Sequence, residues 1–316
     1  MQPDTLVLQR RSFLAGAAGL LLGACARPAE NAAPAVRSVS ARSVQTLLPG
    51  VPTTDGAGVK LTRVIGQRAL PHLDPFILLD RFHSDDPSAY IRGFPDHPHR
   101  GFETVTVMLA GHMKHQDSKG NSGNIRGGGA QWMTAGRGIV HSEMPQQEDG
   151  LMSGFQLWIN LPAREKMRAQ EYQDIQRDRI PAAALSAGGV ANVLVGRAFD
   201  ATGPVAQRVT DPLLLTLMLE DDAQVEIPTT PGHATYVFVH TGEARINDAP
   251  VPGNTLAILG DGNVLRVRAN GQRAGLLVAS AKPIREPIAH RGPFVMNTEA
   301  ELDQAWADYR NGTLAL

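Results

Sequence analysis

Gly128-Gly129-Ala130-Gln131-Trp132-Met133-Thr134-Ala135-Gly136-Arg137-Gly138-Ile139-Val140-His141-Ser142-Glu143 reads as a strand, a tight Gly-x-Gly turn and a second strand. Upstream, Val107-Met108-Leu109-Ala110-Gly111 is a strand closed by a glycine turn. The same order recurs later. Phe238-Val239-His240-Thr241-Gly242 precedes an apolar run, the turn Gly260-Asp261-Gly262 and a further run through Val267. Two copies of one unit imply two barrels from one ancestral repeat, with a boundary near 180–195. Other strand-like runs at 155–161, 192–196, 213–219, 235–240, 255–259, 264–268 and 275–280 are mostly separated by Gly, Pro, Asn or Asp. One helix is expected, from the Thr298/Glu301 capping-box spacing through Tyr309, ending near Gly312.

Composition agrees with an all-β chain. The 316 residues include 32 Gly and 22 Pro, which favours dense turns and short strands. Hydrophobic residues make up 42% and charged residues 19%, which excludes wholesale disorder. Thirty Lys and Arg against 31 Asp and Glu give no basic field for nucleic acid. A single cysteine excludes an internal disulfide and Cys-based zinc or iron–sulfur sites.

The first residues read as an export signal. Arg10 and Arg11 precede an uncharged apolar run, 13–24, too short to cross a bilayer core of about 30 Å. The arginine pair resembles a twin-arginine signal, and Leu22-Gly23-Ala24-Cys25 resembles a lipobox whose cysteine is lipidated. Ala26 after the cysteine weakly favours the outer membrane. The stretch 26–50 is Ala, Pro, Ser and Arg without a period, and reads as a tether. The expected layout is a signal at 1–24, a flexible tether at 25–55, a first barrel at 56–185, a second at 190–295, and a helix and tail at 296–316.

Two short motifs carry metal-ligand spacing. In an extended chain residues i and i+2 share a face, about 6.5–7 Å apart, so His97 and His99 can converge on one ion. His141 and Glu143 repeat the spacing after the Gly-Arg-Gly turn. Three imidazoles and a carboxylate suit Fe(II), Mn(II), Ni(II) or Cu(II) better than calcium or magnesium. A lone His-x-His is commonly surface polarity, and the second pair is what raises the reading. In the second copy, Leu265 and Val267 align with His141 and Glu143, and Pro228 and Thr230 with His97 and His99. One barrel is therefore expected to bind metal and the other not. Glu103 shares the parity of His97 and His99, so spacing alone admits it as a ligand. His112 and His115 follow a Gly turn and could line the cavity mouth, though a solvated loop is the first expectation, and His72 and His83 are expected to be structural.

Asp96-His97-Pro98-His99-Arg100-Gly101-Phe102-Glu103-Thr104, the stretch Gln131 to Glu143, and Gly292-Pro293-Phe294-Val295-Met296-Asn297-Thr298 resemble the pirin family of the cupin superfamily. Leu73-Asp74-Pro75-Phe76 and Asp308-Tyr309-Arg310-Asn311-Gly312 match as well, so the resemblance spans about 60–312. It implies a bicupin, two tandem antiparallel β-barrels with a short C-terminal helix, and iron in the N-terminal barrel only. The family's ligand pattern falls on His97, His99, His141 and Glu143, which leaves Glu103 as a group that supports the ligands from behind or as a structural one. Gly129 stands where the family commonly has aspartate.

The resemblance implies a quercetinase-type dioxygenase acting on flavonols or other enediol- or catechol-like aromatics with O₂, with Glu143 doing general-base work. The competing reading is a non-catalytic, iron-dependent redox-sensing or ligand-binding exported lipoprotein. Either is expected as a monomer on the periplasmic side, touching membrane only through a lipid at Cys25.

Overall fold

Alternation of inward and outward side chains closes two β-barrels in the computed structural model, which describes residues 39–206 and 208–316. Each barrel pairs a seven-stranded with a four-stranded antiparallel sheet. The first large sheet runs in the order Glu171–Ile175, Ala130–Thr134, Phe102–Ala110, Met152–Asn160, Phe76–Ser84, Val59–Ile65 and Val51–Asp55. Its small sheet runs Phe94–His99, Ile139–Pro145, His112–Asp117 and Ser122–Arg126. The second large sheet is built around Thr255–Leu259, Ala234–Thr241, Ala274–Ala281, Leu213–Leu219 and Gly189–Val195. The expected helix is Glu299–Arg310, and both halves of its capping box form between Thr298 and Glu301.

The two large sheets are covered on both faces, which is why their strands are so apolar. On the shared face, Val105, Trp132, Phe155 and Leu157 join Leu214, Tyr236, Phe238 and Leu277 in one buried cluster. Phe76 meets Tyr236 edge-on at 4.9 Å. The inner faces differ between barrels. In the second, Leu215, Leu217, Val237, Val239, Leu276 and Val278 fill the interior. In the first, the corresponding row is polar: Asp80 pairs in register with Gln156, Gln156 with Thr106, and Thr106 with Gln131. Polar side chains are not packed dry without partners, and the first barrel keeps a cavity of about 730 Å³.

Three expectations need correction. Residues 39–55 are not a flexible tether. Val44–Pro49 pairs with Thr255–Leu259 of the second barrel, and Val51–Asp55 with Val59–Ile65 of the first, so this segment joins both large sheets. Both are exposed edge strands, and half-exposed edges lack the apolar alternation that marks a strand in sequence. The second barrel also begins before 185, because Ala182–Ala184 pairs with Gly189–Val195. Finally, Leu265 does occupy an apolar interior, but its cross-strand partner is Ile227, where Pro228 was expected. The matching pair in the first barrel is His97 and His141. The repeat alignment was therefore one residue out on that strand.

Candidate metal centre

The strands Phe94–His99 and Ile139–Pro145 are antiparallel neighbours, with His97 directly opposite His141. Phe94–His99 is the edge of the small sheet, which lets it carry Pro95 and Pro98 without losing a ladder bond. The rings of His97 and His141 lie 4.4 Å apart, His97 and His99 4.7 Å, and His99 and His141 5.1 Å. One nitrogen from each ring falls within 4.8 Å of the other two, the only such group of three found among the described residues.

The outer nitrogens fix which atoms are free. His97 Nδ1 lies 2.8 Å from the Pro95 carbonyl and His99 Nδ1 3.3 Å from the Pro293 carbonyl. A carbonyl only accepts, so each Nδ1 carries the proton and donates, leaving Nε2 as a lone-pair donor. His141 is 1% exposed, and neither of its ring nitrogens has a hydrogen-bond partner among the described residues. Burial, with the neighbouring imidazoles, holds His99 and His141 well below the ordinary histidine range. Convergent imidazoles with unused lone pairs, two of them buried, are what a divalent transition ion takes, and an orphaned buried nitrogen otherwise costs about 1–3 kcal/mol. The residues present fit a metal.

Glu143 is brought to the same cavity but not into the histidine group. The strand register shifts between His141 and Glu143, and this irregularity re-aims the carboxylate. Thr106 donates to it at 2.7 Å and Gln156 Nε2 lies 3.5 Å away. Glu103 is elsewhere. Thr106 faces the barrel interior, so Glu103, three residues earlier on the same strand, faces the other barrel. There it accepts from Thr134 at 2.7 Å, and Arg208 lies 3.7 Å away. The parity argument failed because the chain turns at Arg100-Gly101, between the two sheets. Its contacts are thus with Thr134 and Arg208.

The His99 end of the site is braced by groups the sequence reading did not single out. Lys166, 1% exposed, donates to the carbonyls of Gly101 (2.8 Å) and Val295 (2.9 Å) and to Asn160 Oδ1 (2.6 Å). Arg100 reaches Asp308 at 2.7 Å and the Leu314 carbonyl at 3.2 Å. At Gly101, φ is +91° and an added Cβ would lie 2.1 Å from the Val295 carbonyl, so only glycine fits. The apolar wall is Phe102 and Trp158, 5.1 and 5.0 Å from the His99 ring.

His115, expected in a solvated loop, is 1% exposed inside the barrel, stacked on Tyr172 at 5.2 Å and touching Gln131. It sits on a strand, cross-strand from Glu143. Its period-2 spacing with Met113 was the available signal. His83 bonds Ser153 at 2.9 Å, as a structural histidine would. Cys25, Arg10 and Arg11 lie outside the described residues. Among the described residues no helix is long and apolar enough to cross a membrane.

Two tandem barrels, one filled with aliphatic side chains and the other hollow around three imidazoles, define a bicupin with a single candidate metal centre. Comparison with known proteins agrees. The family description Pirin matches residues 58–159, and Pirin C-terminal cupin domain matches 214–315. A pirin-like protein of Caulobacter vibrioides is 45% identical over 272 residues, covering 86% of this chain and 98% of that protein. This chain belongs to the pirin family. A quercetin 2,3-dioxygenase of Acinetobacter baumannii is similar in structure, with a TM-score of 0.81 and 34% identity over 87% of this chain and 99% of that one. The Escherichia coli pirin YhhW, solved in complex with nickel(II), shares the fold, with a TM-score of 0.59 and 20% identity over 75% of this chain and 98% of that one.

Proposed function

We propose that the protein is a mononuclear non-haem metal dioxygenase, with Fe(II) at His97, His99 and His141, acting on flavonols or other enediol- or catechol-like aromatics with O₂. The observation that carries this is the convergence of His97, His99 and His141, one nitrogen from each within 4.8 Å of the other two, beside a cavity of about 730 Å³ that His97 and His99 line. The 34% identical relative named a quercetin 2,3-dioxygenase supports the substrate class. A bound ion would supply Lewis acidity and an electron path between substrate and O₂.

The chain's own residues do the rest. Leu78, Phe82, Phe94 and Trp158 line the cavity, seat a flat ring and exclude water. Glu143 accepts the proton of the acidic substrate hydroxyl on its carboxylate, which Thr106 and Gln156 aim into the cavity. Glu143 shares the cavity with His97 and His99, and as a fourth protein ligand it would turn from Thr106 towards them.

The test is oxygen uptake by the Fe-loaded protein with quercetin and simple catechols, repeated with His97→Ala. Uptake that requires the metal and is lost in the variant supports the reading. Metal binding with no uptake on any of them favours a non-catalytic iron-dependent sensor or binding protein. We further propose export through Arg10 and Arg11 and anchoring at Cys25, supported by the sequence of that segment. A Cys25→Ser variant that stays in the membrane fraction would refute the anchor.

A further inference from the structure

We propose that Arg63, clamped by Asp80 and Asp55 in the wall of the metal cavity, is a specificity-determining residue that selects neutral polyhydroxylated aromatics over aromatic acids. This rests on the functional reading above. Arg63, Asp55 and Asp80 line the same cavity as His97, His99 and Glu143. Arg63 Nε lies 3.0 Å from Asp80 Oδ1, and Nη2 lies 2.7 Å from Asp80 Oδ2 and 2.7 Å from Asp55 Oδ2. The bidentate pair fixes the guanidinium plane. Nη1 is left with no hydrogen-bond partner among the described residues.

Charge decides what this group takes. The carboxylates of Asp55, Asp80, Asp96 and Glu143 line the cavity, and Arg63 is its only arginine or lysine. Asp80 is 4% exposed and already occupies Arg63 on one edge. An incoming carboxylate would meet this acidic wall at close range. A neutral phenol does not: its oxygen accepts from Nη1 and its proton is donated to the half-exposed Asp55 carboxylate. A hydroxyl matches a donor beside an acceptor, whereas a carboxylate, which only accepts, does not. The substrate's chelating oxygens go to the histidine end and a hydroxyl on an outer ring goes to Arg63.

The experiment is a binding titration of the full chain loaded with redox-inert Zn(II), using intrinsic tryptophan fluorescence and calorimetry. The probes are quercetin, unsubstituted 3-hydroxyflavone, and 3-hydroxyflavone carrying a carboxylate on its outer ring. Quercetin should bind about tenfold tighter than 3-hydroxyflavone, the worth of a hydrogen bond to a charged group. The carboxylated probe should bind more weakly than 3-hydroxyflavone. Arg63→Gln alone leaves Asp80 buried without its partner and risks unfolding the barrel. The double variant Arg63→Gln, Asp80→Asn keeps paired amides, and circular dichroism checks its fold. It should erase the preference for quercetin over 3-hydroxyflavone. Equal binding of the two neutral flavonols by the wild type, a preference for the acid, or a preference that survives in the double variant overturns the proposal alone. No binding of any flavonol, or binding indifferent to the metal, overturns the functional reading and this proposal with it.

Discussion

Thr106 Oγ1 donates to a Glu143 carboxylate oxygen at 2.7 Å, from the large sheet to the small sheet across the interior of the first barrel. The same hydroxyl lies 2.7 Å from Gln156 Oε1, so one proton stands between two acceptors. The charged acceptor takes it. Glu143 is thereby held beside the imidazoles rather than among them. Thr106→Val keeps the shape and removes the donor. We expect metal content unchanged, because the three histidines are untouched, and kcat on a flavonol lowered about ten- to a hundredfold, since hydrogen bonds to charged groups contribute about 1.5–3 kcal/mol. Elemental analysis and oxygen uptake on the same sample check both halves.

Glu103 and Glu143 should part company on substitution. Glu103→Gln weakens the contact to Arg208 between the barrels, so it should lower the unfolding free energy by about 1–3 kcal/mol and leave metal content alone. Glu143→Gln should leave stability nearly unchanged and abolish most turnover. Chemical denaturation and metal analysis separate the two. Loss of metal in Glu103→Gln would reinstate it as a ligand.

Lys166 makes stability depend on pH. Burial without a carboxylate in hydrogen-bond range pushes its amine down to about 7 from 10.5. Between those values the unfolded chain binds a proton that the folded chain does not, so this residue's contribution makes stability rise with pH, by up to about 1.4 kcal/mol per unit. Below about pH 7 both states are protonated and the slope vanishes. The difference in denaturation free energy between wild type and Lys166→Met, measured from pH 6 to 10, should show that slope. A flat difference would mean the amine stays charged in the fold.

Arg42 anchors the segment that spans both barrels. Its side chain is fully buried, bonded to Thr229 Oγ1 at 2.7 Å and to the carbonyls of Gly260 (2.7 Å) and Thr230 (2.6 Å). Arg42→Ala orphans these acceptors and should cost about 3–5 kcal/mol. Limited proteolysis should then cut within 39–50 well before the barrels unfold.

The sequence showed the strands where alternation was strong, as in Leu213–Leu219 and Ala274–Ala281, and the helix where its cap was explicit at Thr298 and Glu301. His97, His99 and His141 were legible because strand parity and a Gly-x-Gly turn put them on one face. What was hidden depends on contacts distant in sequence. Pro293 orients His99 from 194 residues away, and no local pattern announces it. Arg42 lay in a stretch whose composition resembles a linker, and its burial follows from carbonyls some 190 to 220 residues on. Spacing alone left Glu103 open as a ligand because period 2 holds only within a strand, and a turn intervenes.

The proposed centre puts one transition-metal ion on His97, His99 and His141 in the first barrel. The most direct measurement is metal content by mass spectrometry of the protein isolated from its native host, beside His97→Ala and His141→Ala prepared identically. We expect about one ion per chain in the wild type and a near-complete loss in each variant, with the second barrel contributing none. A wild type free of transition metal, or variants that retain it in full, would contradict the account.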